Sequence, residues 1–434
     1  MSLRNLFLAL AALASTLTFA GDWPQFRGVK RDAISRETGL LQEWPAGGPK
    51  LLWTVRDCGV GFSGPAIVGD HLYMAGGRGD SDTLFALDLK AAGGPKELWS
   101  AKIGPLFAWR GNAWNSGPNA TPTVDGDRVY ALGGFGDLVC VNAATGKELW
   151  RTSLPRDLGG EVNPIGGGLD EPTPLGWGNA AAPLVDGDKL LCVPGGKKGL
   201  LAALDKMTGK VIWRSTEVTD QASYSSPLAV EIGGVMQYVQ VSNPGIVGIA
   251  ADTGKLLWSY RREPAFDDVV IAAPIVKGDH VYATVGFGQG CDLVKVVPAN
   301  TGFKVEKVYS NKDVQDRDGG VVLVGEHLFG HSEKGGWVCQ EFQTGKVLWD
   351  NQRSLGRGSI AFADGRLYCL AEKGGAVALV EPSAEEWKEK SRFKLPEASK
   401  KRLPSGGLWT HPAIANGQLY IRDQELLFCY DVKK

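Results

Sequence analysis

One phrase recurs along the chain: Thr-Gly-Lys, two residues that lean apolar, then Trp. It stands intact at Thr145–Trp150, Thr208–Trp213, Thr253–Trp258 and Thr344–Trp349, and a weaker copy ends in Trp99. Each copy reads as a sharp glycine turn followed by a short strand that carries the Trp. A turn-and-strand unit repeated at long intervals is the signature of a fold assembled from similar sheets.

A second marker precedes each Thr-Gly turn: an apolar strand, a glycine turn and another apolar strand, as in Pro65–Tyr73. Its glycine recurs at Gly69, Gly126, Gly187, Gly233, Gly278, Gly325, Gly365 and Gly417, at intervals of 40–61 residues. The pattern predicts eight units of four strands each, here A to D, with the Trp on strand D. Two units are degenerate. The fifth has Thr301-Gly302 but no Trp, and Val308-Tyr309 takes its place. The seventh replaces the turn with Pro382-Ser383, followed by an insertion expected to hold a helical turn or two at Ser383–Lys390 and a D strand at Arg392–Leu395. The ends are complementary. A lone D-type strand, Leu51–Val55, begins the array, and a C-type strand, Leu426–Tyr430, ends it without a D strand. Joining them removes the open edges of a linear array. The expected fold is all-β: a single eight-bladed β-propeller over residues 50–434, after an N-terminal extension over 21–49.

Residues 1–20 read as a signal peptide. Arg4 gives a short basic start, Leu6–Ala14 an apolar run, and Thr18–Ala20 small residues for cleavage after Ala20. The run is too short to span a bilayer, and no Cys follows the cleavage site to carry a lipid anchor. The mature chain is therefore expected to be periplasmic or secreted, and it is read as a monomer. A formal charge of −1 argues against nucleic acid or an anionic membrane surface as partner. Export permits disulfides, but the seven cysteines cannot all pair within the chain. Cys140, Cys339 and Cys429 share one repeat position, and Cys192 and Cys369 another. Both positions lie inside apolar strands and suit small buried hydrophobes. Cys58 and Cys291 fall outside them.

The units resemble the pyrroloquinoline-quinone (PQQ) repeat, seen at its clearest in Leu201–Trp213. The resemblance covers roughly residues 50–432, and Asp22–Gly28 (DWPQFRG) also resembles the N-terminus of a group of exported bacterial PQQ-like propellers. In that family the repeat Trp packs between neighbouring blades. The resemblance thus gives Trp53, Trp99, Trp150, Trp213, Trp258 and Trp349 a structural role. The family includes quinoprotein alcohol dehydrogenases and a lipoprotein propeller of the outer-membrane assembly machinery, and the fold alone does not choose between them.

Function must lie in what breaks the repeat. His71, His280 and His327 occupy one repeated turn position and are dispersed around the ring, unlike a triad or a metal cluster. The loops from strand D to the next strand A run to the axis and line the channel mouth. They carry Trp109, Trp114, Trp177 and Trp409, with Arg110, Asn112, Asn115, Asp267 and Arg317 among their polar companions. The candidate ligand-binding set is Trp114, Asn119, Trp177, Asn179, Tyr224, Asp268, Asp318, Arg357, Trp409 and His411. Aromatic faces beside carboxamides, carboxylates and Arg suit a planar or sugar-like ligand. No catalytic residue and no metal ligand is assigned.

Three functions are weighed. A non-catalytic binding or scaffold propeller, recognising an envelope protein or a small ligand at the channel mouth, asks for nothing the sequence lacks. A PQQ- and Ca²⁺-dependent dehydrogenase is admitted by the resemblance, with Trp177, Glu171, Asn179 and Asp268 as stand-ins. However, the vicinal Cys pair and the Cys-x-x-Cys-His haem motif of such enzymes are absent from the sequence. A carbohydrate- or polymer-binding propeller is the third. The pairs Asp267-Asp268 and Asp316/Asp318 suit solvated loops better than glycoside hydrolysis.

Overall fold

Alternating apolar strands separated by glycine turns build eight four-stranded antiparallel sheets among the described residues. The computed structural model describes residues 21–108, 114, 116–164, 175–300, 302–351 and 355–434. The expected leader lies outside these, as do Trp109, Arg110, Asn112, Asn115, Glu171 and residues 165–174 of the loop over 155–178.

Seven sheets keep chain order. The first runs Ala66–Val68, His71–Arg78, Ser81–Asp88 and Lys96–Pro105. The eighth is composite: Ala413–Ala415, Gln418–Asp423 and Leu426–Asp431 are completed by the N-terminal strand Lys50–Val55. The propeller therefore closes as the unpaired end strands required. The insertion in blade 7 holds no helix. Residues 384–386 bend, and the chain continues as the D strand Lys388–Lys394. The indole of Trp387, partly buried, packs against Trp337 and Trp349 of blade 6 where a helical turn is expected.

The recurring phrase has a double physical basis. Gly146, Gly209, Gly254 and Gly345 have φ of +69°, +73°, +74° and +72°, a region that favours glycine. A Cβ on each of the first three would also sit 2.4–2.6 Å from the Trp ring of the preceding blade (Trp99, Trp150 and Trp213). Those indoles cross the blade boundary, donating to the carbonyls of Ala143, Lys206 and Ala251. Trp349 does the same to Ser383 O. Tyr309 replaces Trp in blade 5 as expected: it lies over Gly345 and its hydroxyl donates to Phe342 O. Trp258 departs from the pattern and bonds Gln237 of its own blade.

The residue just before the Trp is a β-bulge. Cys140 pairs with Trp150 but Val141 with Glu148, leaving Leu149 out of register. The same shift leaves out Leu52, Leu98, Ile212, Leu257, Val308, Leu348 and Lys390. Every outer strand therefore carries an irregularity that spoils its free edge for pairing with another sheet. It also explains exposed aliphatics such as Leu98, Leu149 and Ile212. All seven cysteines are buried and unpaired, with Cys58 and Cys291 no exception.

The extension over 21–49 is bound to the channel wall. Trp23 forms a bridge with Ile67 in blade 1, and Val124 N in blade 2 donates to Pro24 O. Arg27 donates to Gly319 O and Val321 O at the start of blade 6. Arg31 donates to Ala182 O and Pro183 O at the start of blade 3, and Ile34 bridges Phe362 in blade 7. The segment then meets the C-terminus, where Leu41 N donates to Val432 O. It enters along one innermost strand, reverses near Arg27 and returns along others. Arg27, Arg31 and Ala33 hold positive φ near 60° without being glycine. That strain costs about 1–2 kcal/mol per residue. The guanidinium bonds across the channel offset it.

Candidate functional site

The loops entering strand A of blades 1 to 6 and 8 converge on a cavity of about 180 Å³. Its walls include Phe62, Asn119, Trp177, Tyr224, Val269, Ile271, Asp318, Trp409 and His411. Phe287 joins them from the turn between strands B and C of blade 5. The floor comes from the N-terminal segment through Trp23, Phe26 and Arg27. On the other side of that segment, Gln25, Val29, Arg31 and Ile34 line a second cavity of about 520 Å³ against blades 3 to 6. The segment thus divides the central channel into two chambers.

The aromatic walls form a connected set. Trp177 and Trp409 meet edge to face at 5.8 Å and 88°. Trp114 packs on the outer side of Trp177 at 5.3 Å, and Phe62 lies 4.9 Å from Trp409. Phe26 lies 5.8 Å from the His411 ring. Hydrogen bonds fix these rings in place. Asn119 Nδ2 donates to Trp177 O at 2.8 Å, Trp177 N donates to Tyr224 Oη at 2.9 Å, and Tyr224 Oη donates to Asn163 O at 3.0 Å. Burial pushes the Tyr224 phenol up, so it stays a neutral clamp.

One side of the cavity is ionic. Arg357 is held by Glu372, lies 3.6 Å from both Asp318 and Glu333, and Arg317 lies 3.5 Å from Glu333. Arg317 also lies over the Phe287 ring at 4.5 Å. Burial opposes charge on Glu372, but the hydrogen bond and charge of Arg357 prevail and hold its pKa low. Asp318 is the opposite case. Burial, then the charges of Glu372 and Asp316, push its carboxyl up to about 8 against the pull of Arg357 and Arg317. Asp316 rises to about 6 through burial, although Gly319 N and Gly320 N donate to it. His411 Nε2 faces Asp318 O at 2.8 Å, and burial, reinforced by Arg27, lowers its pKa to about 4. The imidazole is therefore neutral at physiological pH and donates through Nε2.

Of the ten sequence candidates, Asn119, Trp177, Tyr224, Asp318, Trp409 and His411 line the cavity together. Trp114 backs Trp177, and Arg357 reaches the site through its pair with Asp318. Asn179 and Asp268 stand apart. Asn179 Nδ2 donates to Gly134 O, and Asp268 caps the amide of Val269. Of the dehydrogenase stand-ins, Trp177 lines the cavity, Asn179 and Asp268 serve loop backbone, and Glu171 lies outside the described residues. Among the described residues no group of three His, Cys, Asp or Glu is placed to hold a metal ion. No step through PQQ or Ca²⁺ follows from this arrangement. The contributors that the repeat pattern did not reveal are Trp23, Phe26, Arg27, Phe62 and Phe287. DWPQFRG was visible as a motif, but its place in the channel was not.

These features define a propeller of PQQ-like repeats with an aromatic chamber at one mouth. The family model described as outer membrane protein assembly factor BamB matches residues 89–351, and the chain belongs to that family. The outer membrane protein assembly factor BamB of Burkholderia pseudomallei (strain K96243) is 23% identical over 261 residues, 59% of this chain and 58% of that relative. The chain thus spans well under two thirds of that relative's length. The quinohemoprotein alcohol dehydrogenase ADH IIB of Pseudomonas putida is 32% identical over 221 residues, 47% of this chain and 30% of that protein. The structure of BamB from Moraxella catarrhalis superposes with a TM-score of 0.58 at 17% identity, covering 88% of this chain and 98% of that one. At that identity the likeness shows the shared fold.

Proposed function

We propose that this protein is an exported, non-catalytic binding propeller that receives a partner at the loop face, with the aromatic chamber as its receptor. The observation that carries the reading is the aromatic wall of the chamber and the polar groups that fix it. Asn119, Tyr224 and Arg27 spend their hydrogen bonds on neighbouring backbone. What they hold in place is a set of aromatic faces, a surface suited to recognition. The N-terminal segment closes the back of the chamber, so a partner's side chain can lodge there but not pass through. Membership of a family described as an outer-membrane assembly factor supports a protein partner in the envelope. The leader-like residues 1–20 support export.

The test is position-specific photo-crosslinking in the producing cell, with a photoreactive residue at Phe287 on the loop face or at Val308 on the outer edge. Capture of the same envelope protein from Phe287 but not from Val308 is expected, and loss of that capture in Trp409→Ala. Equal labelling at both positions overturns the reading. So does PQQ- and Ca²⁺-dependent alcohol oxidation by the purified protein.

A further inference from the structure

Among the described residues, the charged groups around the chamber are unevenly paired. Four guanidinium groups, Arg27, Arg31, Arg317 and Arg357, and four carboxyl groups, Asp316, Asp318, Glu333 and Glu372, surround it among the described residues. Lys373 and Asp32 lie at the margins, one of each sign. Most members are committed. Arg27 bonds two carbonyls of blade 6 with its terminal nitrogens and faces Asp316. Arg317 lies on Phe287 and pairs with Glu333. Arg357 is hydrogen-bonded to Glu372, whose other neighbour is the Trp409 indole.

Asp318 is the odd carboxyl. It is buried, it lines the chamber, and its Oδ2 has no hydrogen-bond partner among the described residues. Arg357 Nε approaches that oxygen only to 3.6 Å. The imidazoles of His411 and His331 are neutral and do not supply the missing positive charge. The chamber already places a cation on one of its rings, in Arg317 over Phe287.

We propose that the chamber binds a hydrogen-bond-donating organic cation, an alkylguanidinium or alkylammonium group, with its charge on Asp318 and its stem against the aromatic wall formed by Trp177 and Trp409. The inference rests on the chamber being a binding site and names the chemistry that site selects. A buried carboxylate with an unpartnered oxygen gains from a donor cation, and the electron-rich faces of Trp add to the attraction. A neutral ligand of the same shape gains only the apolar contacts. The cation comes either from a free small amine or guanidine, or from an Arg or Lys side chain on a polypeptide.

Binding requires the ionised carboxyl. Burial pushes the Asp318 carboxyl up to about 8, so binding of a cation to its ionised form at neutral pH releases a proton. Affinity for a permanent cation should rise roughly thirtyfold from pH 6.5 to pH 9 and level off above that.

Calorimetric titration of the chain over residues 21–434 tests this, with butylguanidinium, its neutral counterpart butylurea, and acetyl-Gly-Arg-Gly-amide. Butylguanidinium should bind at least tenfold tighter than butylurea, with the stated pH dependence. Asp318→Asn should abolish that preference without changing the circular dichroism spectrum. Tighter binding of the peptide assigns the source to a polypeptide, and tighter binding of butylguanidinium assigns it to a small molecule. Equal binding of butylurea overturns the cation class while leaving the chamber a binding site. Failure of every probe also overturns it, and the crosslinking contrast between Phe287 and Val308 then judges the binding reading separately. A preference that survives Asp318→Asn removes Asp318 from the role.

Discussion

Replacing Arg422 with Met should unlatch the ring where its last blade meets its first. Arg422 is buried at the end of strand B in blade 8, and its guanidinium donates to four backbone carbonyls. Nε reaches Gln424 O at 2.8 Å, Nη1 reaches Ser63 O at 2.6 Å and Ala75 O at 2.8 Å, and Nη2 reaches Gly59 O at 2.9 Å. Three of these acceptors belong to blade 1 or its approach. Further bonds join the same two elements, with Gly61 N donating to Gln424 Oε1 and Cys58 N to Glu425 O. A charged hydrogen bond contributes about 1.5–3 kcal/mol, so four amount to roughly 6–12 kcal/mol before offsets. Burying the guanidinium costs part of this. Its pKa falls from 12.5 to about 10, equivalent to about 3 kcal/mol that the substitution returns. Water re-solvating the freed carbonyls returns more, leaving a net loss of about 3–5 kcal/mol, in the range for breaking a buried charged network. Urea denaturation followed by Trp fluorescence measures it, and hydrogen exchange at amides 58–64 and 75–77 should accelerate selectively. Arg56→Met is the control, because its pair with Glu397 is exposed and should contribute under about 1 kcal/mol. A loss below about 1 kcal/mol for Arg422→Met, or exchange that quickens equally in all blades, would refute the latch.

Gly209→Ala should destabilise by about 2–4 kcal/mol, since it combines a positive φ with a Cβ 2.6 Å from Trp150. Gly69→Ala has a positive φ but open space around it and should cost only about 1 kcal/mol, so equal midpoint shifts in thermal melts would contradict the packing account. Trp213→Ala should lose about 3–5 kcal/mol by urea titration, because its ring bridges blades 3 and 4. The pH dependence follows from Asp318. Its folded pKa lies above its unfolded value, so its ionisation penalises the fold progressively as pH rises from about 4 to about 8. Asp318→Asn should therefore gain stability relative to the parent across that window and hold the gain above it. A difference that stays constant from pH 4 to pH 9 in denaturation midpoints would rule this out. His331 and His411, both lowered to about 4, work in the other direction, so the parent should lose stability as pH falls from about 6.5 to 4.

The repeat was legible because its chemistry is local. Thr-Gly-Lys-x-x-Trp states a positive-φ turn and an aromatic side chain within six residues, and counting its copies leads to eight blades, a composite last blade and a Tyr at 309 in place of Trp. The loops of the channel mouth were legible as the places where the repeat breaks, and six of the ten residues chosen there share one cavity. The misassigned helix at Ser383–Lys390 had a different cause. Its polar, charged composition satisfies helical propensity, but the antiparallel register with Ala376–Glu381 and the packing of Trp387 on Trp337 prevail.

The sequence by itself determined the architecture, since a turn, a strand and an interblade aromatic are encoded within each unit and need only be counted. The tertiary structure alone decided three other things: the bulge that leaves Leu149 and several of its counterparts exposed, the seating of DWPQFRG as the floor of the chamber, and the isolation of Asp318 among paired charges. The last two depend on groups distant in the chain, such as Arg27 against Gly319 and Asp318 against Arg357 and Glu372. No periodicity carries such pairings, because they arise only when the ring closes and brings blades 1, 6, 7 and 8 around one axis.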